Sequence, residues 1–166
     1  MTADPEDSRG SEEAAADRAP STTERAIFLL AGMRDGTHPV NLADMALRCL
    51  LVDDNSGFLQ SARLLLEREG IRVVALASNG AEALRHAEEL QPDVVLVDVD
   101  LGGENGFEVV RGLYDRLGDA TPELILISIH AEQDLADLLA ASPAAGFISK
   151  SQLSAGAIRS LLDGRT

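Results

Sequence analysis

Polar residues with chemical potential follow short apolar runs at widely separated points in the chain. Three carboxylates, a hydroxyl and an ammonium make up the set: Asp53, Asp54, Asp98, Ser128 and Lys150. Carboxylates that crowd together repel one another unless a cation compensates their charge. Mg²⁺ is a hard ion that prefers oxygen ligands. The set therefore predicts a magnesium site, provided that the fold brings these residues together.

The same residue types suit phosphoryl transfer. With a metal ion shielding the charge, a carboxylate oxygen of Asp98 could attack a phosphoryl group as a covalent nucleophile. Asp54 and Asp98 could bind the metal directly, and Asp53 could bind it through water. The equatorial phosphoryl oxygens need positive charge and hydrogen-bond donors around them. Mg²⁺, the Lys150 ammonium and the Ser128 hydroxyl would supply these.

The apolar runs alternate with helical patterns from Met45 onward. Strands are predicted at Leu47–Val52, Ile71–Ala75, Val94–Val97, Leu124–Ile127 and Gly146–Ser149. Helices are predicted at Ser56–Glu69, Asn79–Leu90, Phe107–Leu117, Glu132–Ala140 and Leu153–Leu162. Continuous apolar runs indicate strands buried on both faces, and strict alternation with helices predicts a doubly wound α/β fold. The carboxyl ends of parallel strands share one edge, where the polar set would converge.

The chain divides near Met45. Residues 1–44 are acidic and poor in large apolar side chains, so we expect a disordered extension, in which a short helix could form at 24–32. Residues 45–166 are predicted to form the compact domain. The change of composition at Met45 also suggests the hypothesis that translation begins there.

Composition excludes several classes of function. A net charge of −14 argues against binding to nucleic acid or to an anionic membrane. No apolar run approaches the roughly 18 residues of a membrane span, and no secretory signal is visible, so a cytoplasmic protein is expected. The single cysteine, Cys49, is predicted to be a core residue. His86 and His130 lack the spacing of metal ligands and are expected to be solvated.

Four motifs together resemble the receiver domain of two-component response regulators. They are Leu50–Asn55, Pro92–Asp98, Ile127–Ser128 and Gly146–Lys150. The resemblance covers about residues 46–163 and implies a flavodoxin-like, five-stranded parallel sheet with strand order 2-1-3-4-5. It leaves no residues for an output domain, so a stand-alone receiver domain is expected.

The resemblance also implies a role for each matching residue. It makes Asp98 the phosphoacceptor and Lys150 the phosphate-binding lysine, with Ser128 and Phe147 as the switch residues. The implied metal ligands are Asp53, Asp54, Asp98 and the backbone carbonyl of Asp100, and Gly106 matches the glycine of the following loop.

The mechanism that the resemblance implies is a relay rather than enzymatic turnover. A sensor histidine kinase donates the phosphoryl group to the domain, which later loses it slowly. Phosphorylation remodels the face formed by the fourth helix, fifth strand and fifth helix, the α4-β5-α5 face. An unidentified downstream protein, or a second copy of the chain, would bind there.

Two departures from the family pattern concern loops at the site. Leu101-Gly102 stands where Met-Pro is common, which should leave the loop after Asp98 freer. Ser151 stands after Lys150, where the family often has a proline with a cis bond. A cis bond before a residue other than proline costs roughly 3 kcal/mol, so we expect a trans bond or visible strain.

Two other functions remain open from the sequence. Asp98-Val99-Asp100 resembles the acidic signature of haloacid-dehalogenase-type phosphatases, but in those enzymes the second acidic pair follows the nucleophile, whereas Asp53-Asp54 precedes it. The other alternative is a binding module that keeps the fold and signals without phosphorylation.

Overall fold

A computed structural model describes residues 46–164. The predicted extension, its helix at 24–32 and the proposed start at Met45 lie outside the described residues. A parallel sheet of five strands has the order β2-β1-β3-β4-β5. Its strands are β1 (Arg48–Val52), β2 (Arg72–Ala77), β3 (Val94–Asp98), β4 (Glu123–Ser128) and β5 (Gly146–Ser149).

A helix follows each strand of this sheet, and the first four helices connect successive strands. They are α1 (Ser56–Arg68), α2 (Gly80–Leu90), α3 (Gly106–Leu117), α4 (Ala136–Ala140) and α5 (Ala155–Asp163). The predicted doubly wound, flavodoxin-like fold is confirmed. One helix is much shorter than predicted, because Glu132–Leu135 forms a 3₁₀ turn and only α4 is α-helical. The remaining predicted boundaries agree to within two residues.

The sheet is buried on both faces, as its continuous apolar runs predict. Successive residues of β1 point to opposite sides. Cys49 and Leu51 pack in a core cluster with residues of α1 and α5, whereas Leu50 and Val52 pack with residues of α2 and α3. The rigid part of the molecule is therefore a sheet between two helical layers.

Side chains fix where four of the helices begin, including α3, where Asn105 Oδ1 accepts a hydrogen bond from the backbone N–H of Phe107. Asn55 Oδ1 accepts a hydrogen bond from the backbone N–H of Phe58 at the start of α1. Asn79 and Ser154 cap α2 and α5 in the same way. Such caps satisfy backbone donors that have no partner inside the helix. At α1 the cap leaves Asp53 and Asp54 free to lie at the sheet edge.

The loop after β3 is more ordered than its lack of proline led us to expect. Asp100–Leu101 pairs with Glu104–Asn105 in a short antiparallel hairpin. Gly102 and Gly103 form its turn, with φ of +60° and +147°. The described residues contain no cis peptide bond, so the bond before Ser151 is trans. Within residues 46–164, no helix has the length and apolar character needed to cross a membrane.

Candidate phosphoryl-transfer site

The first two acidic residues lie at the carboxyl end of β1. The backbone N–H of Asp53 donates to the carbonyl oxygen of Ala77, which continues the pairing of β1 with β2. Asp53 is fully buried, and its Oδ1 accepts a hydrogen bond of 2.8 Å from the backbone N–H of Asn55. Asp54 is exposed. Asp53 thus provides a buried carboxylate at this edge of the sheet, and Asp54 provides an exposed one.

Asp98 is the last residue of β3, which lies next to β1 in the sheet. The residue is only 5% exposed. Its Oδ1 accepts a hydrogen bond of 3.3 Å from the backbone N–H of Asp100, and its Oδ2 accepts one of 3.1 Å from Lys150 Nζ. The carboxylate is therefore held in a fixed orientation at the sheet edge.

Lys150 begins the 3₁₀ turn that follows β5. Its ammonium lies 2.6 Å from Asp53 Oδ2 and 3.1 Å from Asp98 Oδ2. It also lies 4.3 Å from the ring centroid of Phe58 on α1, which is within the range of a cation–π contact. Lys150 therefore contacts the end of β1, the end of β3 and α1, all of which are distant from it in the sequence.

Ser128 ends β4 and is fully buried. Because Asp98 is in register with Ile127, Ser128 lies one residue further along the same edge. Its Oγ accepts a hydrogen bond of 3.0 Å from the backbone N–H of His130. Phe147 lies on β5 opposite Leu126 and is half-buried against the core.

The electrostatics of the site are unbalanced, because the buried carboxylates of Asp53 and Asp98 share one ammonium. Burial raises the pKa of Asp98, and the charge of Asp53 adds to this effect, although the hydrogen bond from Lys150 opposes it. Burial alone would lower the pKa of Lys150, but its hydrogen bonds with Asp53 and Asp98 outweigh burial and raise that pKa. Lys150 therefore stays charged at neutral pH, and the site keeps an excess of negative charge.

The donor set fits a divalent cation. Oxygen atoms from Asp53, Asp54 and Asp98 all lie within 4.8 Å of one another. The buried Oδ2 of Asp53 contacts the Lys150 ammonium at 2.6 Å and has no other polar partner among the described residues. An all-oxygen, acidic donor set with excess negative charge suits a hard ion such as Mg²⁺. These residues could hold such an ion.

Several contacts at the site were not predicted from the sequence. His130 is exposed, as expected, and its Nε2 lies 3.2 Å from Asp100 Oδ2, a contact that the sequence does not predict. The carboxylate of Glu104 accepts hydrogen bonds of 3.2 and 3.3 Å from the backbone N–H of Gly80. The hairpin is thus tied to the loop after β4 on one side and to α2 on the other. The only sequence signal for these contacts is that each residue follows a strand or precedes a helix.

Comparison with known proteins identifies the class of this domain. The family described as response regulator receiver domain matches residues 49–162, and the chain belongs to that family. It is therefore a phosphoacceptor signalling domain of the kind used in two-component systems. Family membership decides between a receiver domain and a haloacid-dehalogenase-type phosphatase in favour of the receiver domain.

The relatives are longer than the region that matches this chain. The response regulator GacA of Pseudomonas viridiflava is 34% identical over 105 residues, which cover 63% of this chain and 48% of GacA. The DNA-binding transcriptional activator EvgA of Escherichia coli K12 is 29% identical over 106 residues, or 64% of this chain and 51% of EvgA. The chain thus spans about half the length of these relatives.

A solved structure shows the same fold. It is a two-component response regulator of the LuxR family from Aurantimonas sp. SI85-9A1. Its sequence is 29% identical, its TM-score is 0.62, and the match covers 72% of this chain and 86% of that one.

Proposed function

We propose that Asp98 is the phosphoacceptor of this receiver domain and that a sensor histidine kinase is the donor. The observation that carries the proposal is the position of the Asp98 carboxylate. It is buried at the sheet edge, contacts the Lys150 ammonium, and has oxygen atoms of two further carboxylates within 4.8 Å. This arrangement supplies a nucleophile, a fixed positive charge and a set of metal ligands in one place.

In the proposed step, a carboxylate oxygen of Asp98 attacks the phosphorus atom of a phosphohistidine. The new P–O bond forms an acyl phosphate while the P–N bond breaks, and the imidazole takes up the electron pair and a proton from solvent. Lys150 would stay next to the phosphorylated side chain and stabilise the charge of its oxygens. Asp54, Asp98 and the Asp100 carbonyl would hold Mg²⁺, with Asp53 acting through water, and the ion would neutralise phosphoryl charge.

The relay would begin at Ser128. Its hydroxyl, which now accepts a hydrogen bond from His130, would donate one to a phosphoryl oxygen instead. Phe147 would then pack more deeply in the space that Ser128 leaves. A new multiply charged group can bias a two-state element through hydrogen bonds that only one state makes. The affected face includes the groove lined by Phe147, Ile148 and Leu161, between β5 and α5.

We propose that this α4-β5-α5 face binds a downstream protein or a second phosphorylated copy. Direct binding of nucleic acid or of a membrane by the receiver domain is not proposed, because the chain carries a net charge of −14. The proposed location is the cytoplasm, where histidine kinases present their phosphoryl group. Enzymatic turnover is not part of the proposal, because the acyl phosphate is the product that carries the signal.

Intact mass tests the phosphoacceptor directly. With Mg²⁺ and a small acyl-phosphate donor or a purified kinase, the protein should gain about 80 Da, the mass of one phosphoryl group. Asp98→Asn should abolish the gain, and Asp119→Asn, which changes an exposed carboxylate in the turn after α3, should retain it. Retention of the gain in Asp98→Asn would refute the assignment. A wild-type mass that never changes would instead favour a phosphorylation-independent binding module.

A further inference from the structure

The turn of the hairpin lies directly against the exposed carboxylate of the site. A side chain added at Gly102 would place its Cβ 2.7 Å from Asp54 Oδ2 and 3.4 Å from Asp54 Cγ. The first distance is shorter than real Cβ atoms show, and the second is slightly inside the optimal separation of about 3.5–4.0 Å between non-bonded carbon atoms. The Asp54 carboxylate therefore occupies the space that a side chain at position 102 would need.

Asp54 has little else to fix its orientation. The residue is exposed, and no hydrogen bond or ion pair with another described residue holds its carboxylate. The carboxylate has room beside the hairpin turn because position 102 carries no Cβ. An exposed side chain with free rotation would otherwise lose conformational entropy when it adopts the single orientation that a metal ligand needs.

We propose that Gly102 is a positioning residue of the metal site. Its missing side chain lets the hairpin approach Asp54 and keep that carboxylate turned toward Asp53 and Asp98. This inference rests on the metal site of the proposed function. It adds a residue that contacts neither the metal nor the phosphoryl group and acts through Asp54.

The hairpin cannot easily retreat to make room for a larger residue. Glu104 is hydrogen-bonded to the N-terminus of α2, and Asp100 contacts His130. Because both strands of the hairpin are held, an added methyl group at the turn should displace the exposed Asp54 side chain rather than the backbone.

The conformation of the hairpin turn also explains why position 102 departs from the common Met-Pro pattern. Proline fixes φ near −65°, whereas Gly102 has a φ of +60°. A proline at position 102 is therefore incompatible with this hairpin. The glycine and the hairpin belong together, and they give this chain a different support for the acidic pair.

Gly103 provides a matched control for the test. Both glycines have positive φ, but a Cβ at Gly103 would meet nothing within 4 Å. Its φ of +147° also lies farther from the left-handed region near +57° that other residues occasionally adopt. Gly103→Ala should therefore strain the backbone at least as much as Gly102→Ala without touching Asp54.

The experiment is a calorimetric titration of the full chain with MgCl₂, together with thermal unfolding of each variant. Gly102→Ala should weaken Mg²⁺ binding about tenfold, as the loss of an outer support of a metal ligand commonly does. Gly103→Ala should bind Mg²⁺ as the wild type does. In an Asp54→Ala background, Gly102→Ala should cause no further loss, because the residue through which it acts is gone.

Each contrary outcome points to a different error. Wild-type protein that binds no Mg²⁺ would overturn the metal site itself and this inference with it. Two outcomes would overturn the inference while leaving the metal site intact. In the first, the wild type binds Mg²⁺ and Gly102→Ala binds it equally well. In the second, Gly103→Ala loses as much Mg²⁺ affinity as Gly102→Ala. If Gly102→Ala were unfolded, Asp54→Ala/Gly102→Ala should fold again, and an unfolded double variant would also overturn it.

Discussion

At the scale of single residues, the site is defined by a charge imbalance. The buried carboxylates of Asp53 and Asp98 face one ammonium, that of Lys150, at 2.6 and 3.1 Å. A buried ion pair can offset the loss of hydration only when its charges match. An extra buried carboxylate therefore destabilises the free protein, while it favours the binding of a cation.

This imbalance predicts that Asp98→Asn stabilises the protein at neutral pH. The variant leaves Asp53 and Lys150 as a matched pair. We expect the free energy of unfolding at pH 7, measured by urea denaturation in EDTA, to rise by about 1 kcal/mol. EDTA is needed because a bound cation would stabilise the wild type and hide the difference.

The pH dependence of this effect has a definite sign. Burial raises the pKa of Asp98 above its ordinary value of 3.8, so the folded protein holds this proton more tightly than the unfolded chain. The resulting stabilisation is present below the ordinary pKa and is lost as pH rises through the raised one. The advantage of Asp98→Asn should therefore shrink as pH falls toward 4. Asp119→Asn, the exposed control, should show no such trend, and an advantage independent of pH would contradict the argument.

The positions of the five polar residues at the sheet edge could be predicted because each directly follows an apolar run. Asp53, Asp98 and Lys150 follow strands whose order fixes their separation. The contacts of His130 with Asp100 and of Lys150 with Phe58 could not be predicted in this way. They depend on loop conformations and side-chain rotamers, which have no periodicity in the sequence.

At the scale of elements, α3 begins unusually close to the end of β3. The backbone N–H of Gly106 donates a hydrogen bond of 2.8 Å to the carbonyl oxygen of Val99. A Cβ at Gly106 would overlap the carbonyl oxygen of Asp98 and contact the Cα of Val99. These are backbone atoms of a buried strand end, so they cannot move aside as a flexible side chain can. The close approach closes the hairpin and fixes the backbone of Asp98, the proposed phosphoacceptor.

Two glycines of α3 should therefore respond in opposite ways to the same substitution. Gly106→Ala should lower the free energy of unfolding by about 3 kcal/mol or more, the cost of strain where a site cannot relax. Gly112→Ala, in the exposed middle of the helix with nothing near its added Cβ, should raise it by about 0.5–1 kcal/mol. Urea denaturation measures both. Equal effects would show that helix propensity, not the contact with Asp98, decides the outcome.

The elements were predictable in proportion to their length and burial. Strands such as β3 and β4 are continuous apolar runs, and helices such as α2 have clear caps, so their sequences identify them. The hairpin has strands of two residues each, too short to show alternation. The helix predicted at Glu132–Ala140 became a 3₁₀ turn followed by α4, in neither of which any residue is buried. Because only Leu135 and Leu139 are partly buried there, packing favours a longer α-helix weakly.

At the scale of the whole molecule, the residues that form the packed core and the residues of the polar site lie in different parts of the domain. The central strands and the inner faces of the helices form two apolar clusters, whereas the polar site occupies the carboxyl edge of the sheet and its loops. Elements with few buried contacts open at a lower free energy than a packed core. The loop after β4 and the turn before α4 can therefore rearrange while the sheet stays intact.

The reactivity of Cys49 tests whether the core stays closed while the loops rearrange. Cys49 is the only cysteine of the chain, lies in β1 and is fully buried. Burial raises the pKa of its thiol well above the ordinary value, so the reactive thiolate is suppressed in the folded state. We expect iodoacetamide to label the native protein at least about a thousandfold more slowly than the urea-unfolded protein, since labelling needs global unfolding that costs at least about 5 kcal/mol.

Asp98→Asn in EDTA should slow the labelling further at pH 7, because it stabilises the whole fold. Loop rearrangement on phosphorylation should not expose the thiol. Rapid labelling of the native protein, or acceleration on phosphorylation, would mean that β1 opens locally and that the core is not separate from the moving parts.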